Sequence, residues 1–102
     1  MVLTEEIIRQ ALATVIDPEL QVDIVSLGLI YKIELKKAEK VKITMTLTSP
    51  GCPLAPIIDD MVRQSMFGIV DDVEQDVEIV LTFDPPWVPD MMSEEVRLEL
   101  GL

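Results

Sequence analysis

Cys52 is the only cysteine in the chain, and it lies in the segment Thr48-Ser49-Pro50-Gly51-Cys52-Pro53, between a strand-like and a helix-like run. Pro53 suits the first position of a helix, because the N–H that proline lacks has no helical partner there. The positive end of such a helix favours ionisation of a thiol, and a thiolate attacks electrophiles or binds soft metals. The pattern therefore predicts a thiolate for iron or a sulfur-bearing group. The alternative is an inert cysteine that fills a gap in the turn.

Composition excludes several classes of chemistry. The 102 residues contain no histidine, which removes Ser–His and Cys–His nucleophile pairs and histidine zinc sites. A formal charge of −11 without a basic cluster disfavours nucleic acid and anionic membranes as partners. No apolar run approaches the ~20 residues of a membrane span, and the first residues lack the pattern of a secretory signal. With a single cysteine, these features predict a cytoplasmic protein that forms one domain over residues 1–102.

The first half of the chain predicts a helix and two strands. The helix begins after Thr4, which can cap it, and ends near Ile16 because Pro18 disfavours helical geometry in the residue before it. An acidic loop over residues 17–23 follows. Period-two alternation then predicts an antiparallel hairpin with one buried face. Its inward residues are Leu29, Tyr31, Ile33 and Leu35 on the first strand and Val41, Ile43, Met45 and Leu47 on the second.

The second half predicts a helix, a strand and a short helix that Ser93 caps. Apolar residues at helical spacing mark the longer helix, up to Ile69. The inward residues of the third strand are Val77, Ile79, Leu81 and Phe83. The order predicts an α+β domain with two layers, α-β-β-α-β-α, whose three-stranded mixed sheet has helices on one face. A right-handed crossover makes the third strand parallel to the second, while its place in the sheet stays open.

This topology brings three loops to one edge of the sheet: the acidic loop, the cysteine loop and the Asp84–Trp87 loop. The side chains gathered there are Asp17, Glu19, Thr48, Cys52 and Asp84, while the place of Asp23 stays open. Cys52, Asp17 and Glu19 form a plausible mixed ligand set for a metal, but an incomplete one, because a typical cluster is held by four thiolates. The other interpretation is that the carboxylates and Thr48 only stabilise their turns.

Gly28 and the segment over residues 84–92 also allow more than one interpretation. Trp87 either covers the edge of the core or, if it is exposed beside Met91 and Met92, forms a docking patch for partners. Gly28 indicates a bulge or a close approach of two backbones.

Four segments together resemble the SufT/PaaD-type iron–sulfur cluster assembly family. They are Asp17-Pro18-Glu19, Asp23-Ile24-Val25-Ser26-Leu27-Gly28-Leu29-Ile30, Thr48-Ser49-Pro50-Gly51-Cys52-Pro53 and Phe83-Asp84-Pro85-Pro86-Trp87. The same domain stands at the N-terminus of Mrp/ApbC-type carrier ATPases. The resemblance implies a factor that matures iron–sulfur proteins without turnover of its own, with Cys52 as the most important residue and Asp17, Glu19 and Thr48 beside it. The chain lacks a P-loop domain and a cysteine-rich tail, so it resembles the stand-alone members.

Three functions follow as hypotheses. The first is an accessory factor that works with assembly proteins and delivers iron or an iron–sulfur cluster, transiently held at Cys52, to client apoproteins. The second is a metal-free interaction module that recruits clients through Trp87, Met91 and Met92. The third, a thiol enzyme, is disfavoured because the chain has neither a histidine nor a second cysteine. Whether the chain forms a homodimer stays open.

Overall fold

The computed structural model describes residues 3–18, 20–36, 40–48 and 53–101. Its elements are α1 (Glu5–Leu12), β1 (Ile30–Lys36), β2 (Lys40–Met45), α2 (Ala55–Ser65), β3 (Val77–Leu81), a 3₁₀ turn (Pro89–Met91) and α3 (Glu94–Leu100). This order confirms the predicted α+β fold. Within the described ranges, no helix is long and apolar enough to cross a membrane.

The sheet has β2 at its centre, between β1 and β3. β2 runs antiparallel to β1 and parallel to β3, as the crossover argument predicted, and the strand order β1-β2-β3 is the part that the sequence left open. Met45 at the end of β2 pairs with Ile30 on one side and with Leu81 on the other. The start of β1 and the carboxyl ends of β2 and β3 therefore share one edge, which we call the carboxyl edge.

The inner face of the sheet carries the core. Its β2 residues Val41, Ile43 and Met45 are all buried, as the alternation predicted. The helices contribute to the same cluster of buried side chains, which includes Ile8, Leu12, Ile58, Val62 and Val96. Burying a side chain of this size is worth roughly 1.5–3 kcal/mol, so this face holds most of the apolar stabilisation.

The edge strands are less well covered than predicted. Along the inner face of β3 the exposed fraction rises from 2% at Val77 to 42% at Leu81, and Phe83 beyond the strand is also exposed. Leu35 at the far end of β1 is exposed as well. The prediction that these three side chains are buried is wrong. They lie at or beyond the ends of edge strands, where the helices no longer cover the inner face of the sheet.

α1 is shorter than predicted. It ends at Leu12 rather than near Ile16. The Thr14 hydroxyl donates to the carbonyl oxygen of Ala11 at 2.6 Å, and the N–H of Val15 donates to Leu12 three residues back. These bonds tighten the last turn, since a threonine that bonds to the preceding turn competes with regular helix geometry.

α2 begins two residues later than predicted, with Leu54 as its N-cap. Pro56 stands in the first turn, where the N–H that proline lacks has no helical partner. Pro53 therefore precedes the helix instead of opening it. The helix ends at Ser65 rather than at Ile69, because the next N–H groups bond three residues back in a tighter turn.

Residues 84–93, the C-terminal strap, pack against the turn over residues 23–29 that leads into β1. The indole N–H of Trp87 donates to the carbonyl oxygen of Leu27 at 2.7 Å. The Tyr31 hydroxyl donates to a strap carbonyl oxygen at 2.8 Å. A β-bulge makes Tyr31 an extra residue without a partner on β2, because Ile30 pairs with Met45 and Lys32 with the adjacent Thr44. This explains why the Tyr31 side chain reaches the strap.

Gly28 lies where the strap crosses the turn. Its φ is +78°, and a Cβ built on it would overlap the carbonyl oxygen of Met91. Next to it, the N–H of Ser93 donates to the carbonyl oxygen of Ser26 at 2.8 Å. The predicted close backbone approach at Gly28 is confirmed, although Gly28 lies before β1 rather than within it.

Candidate functional site

Asp17 is held in a tight turn that follows α1. Its Oδ1 accepts the N–H of Leu20 at 3.0 Å, and its own N–H donates to Val22 at 2.9 Å. The side chain is buried, and a buried carboxylate is tolerated only when hydrogen bonds compensate it. At least one oxygen of Asp17 therefore stabilises the turn, which is the turn chemistry that the sequence indicated. Its role as a ligand stays a prediction.

Glu19 and Cys52 lie outside the described residues. Thr48 is the last described residue before the cysteine loop, and it is partly buried three residues beyond the end of β2. Pro53 is the next described residue and lies just before α2. The loop that carries Cys52 thus leaves from the carboxyl edge and leads into α2. Its side-chain geometry stays a prediction.

Asp84 belongs to the carboxyl edge. The N–H of Thr82 donates to the carbonyl oxygen of Met45 at 2.9 Å, which extends the pairing of β2 and β3 by one residue. The N–H of Asp84 then donates to the Thr82 hydroxyl at 3.2 Å. Asp84 is exposed. The structure therefore carries this carboxylate to the edge from which the cysteine loop leaves.

The predicted patch of Trp87, Met91 and Met92 is mostly turned into the fold. Met92 is only 5% exposed and contributes to the core. Trp87 is half-buried against that core, and its indole hydrogen bonds to Leu27. The Sδ of Met91 contacts the Tyr31 hydroxyl oxygen at 3.5 Å. Trp87 thus covers the edge of the core, Met92 cannot contact a partner in this conformation, and a docking role for Trp87 and Met91 stays a prediction.

Within the part of the chain that the structure describes, no three cysteine or carboxylate side chains form a group that could hold a metal ion. Two of the three predicted ligands, Glu19 and Cys52, lie outside that part of the chain. The predicted set of Cys52, Asp17 and Glu19 therefore stays a prediction.

Thr46 is a buried polar residue that sequence reasoning missed. Alternation placed it on the outer, polar face of β2, yet its side chain is fully buried. Its N–H donates to the carbonyl oxygen of Leu29 at 2.9 Å, which extends the pairing of β2 and β1 by one residue. The local pattern carried no signal for this burial, because Thr46 lies one residue beyond β2 and continues the polar positions of the alternation.

Comparison with known proteins identifies relatives of this chain. A family model described as "Iron-sulfur cluster assembly protein" matches residues 5–79. The chain is 45% identical over 98 residues to the Fe-S protein maturation auxiliary factor YitW of Bacillus subtilis, which covers 96% of this chain and 94% of the relative. An Fe-S protein maturation auxiliary factor of Porphyromonas gingivalis is 48% identical over 101 residues, with 96% and 91% covered.

A solved structure supports the same assignment. The domain of unknown function DUF59 from Bacillus anthracis matches with a TM-score of 0.87 and 37% identity, covering 96% of this chain and 92% of that chain. This similarity confirms the α+β fold, and the family match spans the chain from α1 into β3. The chain therefore belongs to the iron–sulfur cluster assembly protein family, as its motifs predicted.

Proposed function

We propose that this protein is an accessory factor that assists the assembly of iron–sulfur clusters or their transfer to client apoproteins, without catalytic turnover of its own. The observation that carries the proposal is the family match over residues 5–79, together with relatives of similar length that are called maturation auxiliary factors. The cluster is then a cargo. Assembly proteins and client apoproteins are the partners, and a reducing cytoplasm keeps the single thiol available.

Cys52 is the residue that would hold the cargo. Iron–sulfur clusters are usually held by four thiolates, so one chain with one cysteine supplies only part of a ligand set. A small thiol, a partner or a second chain has to supply the rest. A partial set binds weakly and releases its cargo readily, which suits a factor that passes a cluster on.

The carboxylates and Thr48 would act in support of Cys52. The buried, hydrogen-bonded Asp17 suits a residue that positions the acidic loop, while the exposed Asp84 suits an oxygen ligand or an attractive charge at the carboxyl edge. Glu19 is proposed as a further oxygen ligand. Thr48 would orient the start of the cysteine loop.

Anaerobic reconstitution of the full chain with iron and sulfide tests the role of the thiolate. We expect visible absorption and bound iron in the natural protein, and a loss of both in Cys52→Ser. Thr14→Ser, a hydroxyl-conserving change outside the proposed site, is the control and should keep both. Equal absorption in Cys52→Ser would refute the role of Cys52. Activation of an apoprotein client by a colourless natural protein would leave only a targeting role.

The metal-free recruitment module remains the alternative. It predicts that Trp87→Ala impairs client binding more than Cys52→Ser does. Because the indole of Trp87 bonds to Leu27 and Met92 is buried, such a variant has to be checked for stability before its binding is compared.

A further inference from the structure

Negative charge is concentrated in one part of this chain. Between Lys42 and Arg97 there are eleven acidic residues and a single basic one, Arg63, so this stretch accounts for −10 of the net charge of −11. Arg63 is paired with Asp59 at 2.9 Å and bonded to backbone carbonyl oxygens, so its charge offsets that one carboxylate. The described part of this stretch builds α2, β3 and the C-terminal strap.

Five large apolar side chains are exposed in the described part of this stretch, and three of them lie near the end of β3 or the start of α2. Leu81 at the end of β3 is 42% exposed, Phe83 two residues later is 36% exposed, and Ile57 in the first turn of α2 is 49% exposed. All three belong to the carboxyl edge, because β3 ends there and α2 begins just after the loop that leaves the end of β2. We call these three residues the apolar corner.

The apolar corner adjoins the core at Leu81. Leu81 lies on the inner face of the sheet, where it pairs with the fully buried Met45 of β2. Single exposed apolar residues are ordinary on protein surfaces, whereas several at one edge beside exposed carboxylates form a candidate interaction site. Its neighbours in the chain are acidic and exposed, namely Asp84 beside Phe83 and Asp60 in the next turn of α2.

The charge decides between the candidate occupants of the corner. A second copy would bring the same acidic chain, of net charge −11, against the first, and like charges disfavour association. A basic surface would gain from the same field, both in its rate of encounter and in its orientation. The occupant that complements the corner therefore has an apolar centre and a rim of lysine or arginine.

We propose that the apolar corner is a docking surface for a protein segment with apolar residues at its centre and basic residues around them. Docking there places the partner beside the loop that carries Cys52. The inference rests on the proposed function in that the natural partner is a client apoprotein. It deepens that function by naming the surface and the chemistry that recognise the client.

Titration of the ¹⁵N-labelled full chain with synthetic peptides tests the inference without iron. The probe is a peptide that alternates lysine and leucine, and the comparison peptides replace its lysines by glutamate or its leucines by serine. We expect the lysine–leucine peptide to bind more tightly than either, with amide shifts centred on residues 55–58 and 79–84. Its affinity should fall severalfold when salt rises from about 50 to about 300 mM.

Two matched pairs of variants localise the binding. Phe83→Ser should weaken the lysine–leucine peptide by about fivefold or more, because it removes an apolar anchor. Phe67→Ser is the control, since Phe67 is 79% exposed at the other end of α2, and it should change affinity by less than about twofold. Asp84→Asn should weaken binding more than Asp71→Asn does. Phe83→Leu keeps an apolar side chain and should retain binding.

Three results would overturn the inference. They are equal losses in Phe83→Ser and Phe67→Ser, equal binding of the glutamate–leucine peptide, and a dimer in sedimentation that Phe83→Ser converts to a monomer, which would show that a second copy covers the corner. The proposed cargo role fails separately. If the peptide maps to the corner while reconstitution does not depend on Cys52, docking stands and the thiolate role falls.

Discussion

Gly28 lies beneath the carbonyl oxygen of Met91, at a φ of +78°. A side chain there meets two penalties, the strained backbone and the collision with the strap. We expect Gly28→Ala to lower the free energy of unfolding by at least about 2 kcal/mol, because positive φ alone costs roughly 1 kcal/mol or more outside glycine. Chemical denaturation measures the loss.

Gly68 offers a control for this variant. Its φ is +86°, yet a Cβ on it would meet no atom of the described chain within 4 Å. Gly68→Ala should therefore pay only the backbone penalty, about 1 kcal/mol. Equal losses of unfolding free energy in the two variants would show that contact with the strap does not add to the cost of Gly28→Ala.

Asp17 allows its turn role to be separated from a role as a ligand. Asparagine keeps the oxygen that accepts from Leu20 but removes the charge, whereas alanine removes both. We expect Asp17→Asn to keep the fold and the absorption of the reconstituted protein. Asp17→Ala should lose about 1–3 kcal/mol of stability, because the Leu20 N–H is left without its partner. A folded Asp17→Asn that no longer holds iron would instead make Asp17 a ligand.

At the scale of elements, Arg63 joins α2 to the segment that enters β3. Sequence reasoning placed it on the polar side of its helix, but the side chain is largely buried and its Nη1 donates to Val73 at 2.9 Å and to Val77 at 2.6 Å. One feature of the sequence did single out Arg63 for a structural role: it is the only basic residue in a long acidic stretch. Its partners could not be predicted, since they are backbone groups brought near by folding.

Replacing Arg63 tests this connection. We expect Arg63→Met to lower stability by about 2–3 kcal/mol, because carbonyl oxygens lose their donor in a partly buried place. Arg63→Lys should recover only part of this, since an ammonium lacks the planar fork of arginine. Arg9→Met removes an exposed pair with Glu5 on α1 and should cost less than about 0.5 kcal/mol. Thermal melts of the three variants would show whether that order holds.

On the outer face of the sheet, Glu34 lies between two lysines of its own strand. A hydrogen bond from the Lys32 ammonium at 2.7 Å, followed by one from Lys36, holds the pKa of Glu34 below its usual value of 4.5. This stabilisation is present above pH 4.5 and is lost as the pH falls through the lowered pKa of the folded protein. In an NMR titration of the carboxyl carbon, we expect Lys32→Met to raise the Glu34 midpoint towards 4.5. An unchanged midpoint would exclude Lys32 as the main cause.

At the scale of the whole molecule, net charge opposes compaction. A charge of −11 on 102 residues, most of it in one stretch, makes the folded chain repel itself. Raising the ionic strength from about 0.02 to about 0.3 M shortens the Debye length from about 20 to about 6 Å. We expect the melting temperature to rise by a few degrees over this range. Asp71→Lys should raise it at low salt and much less at high salt; a melting temperature that falls with salt would contradict the argument.

The sequence by itself determined the kinds of elements, the buried residues of β2, the shared carboxyl edge and the family. These follow from apolar residues spaced at periods of two or 3.6, from the handedness of a crossover and from contiguous motifs. All of these can be identified from residues that are near one another in the chain. Only the tertiary structure decided the exposure of Leu81 and Phe83, the burial of Thr46 and Met92, and the carbonyl partners of Arg63. Each depends on which distant segment packs at that point, and no local pattern encodes such a contact.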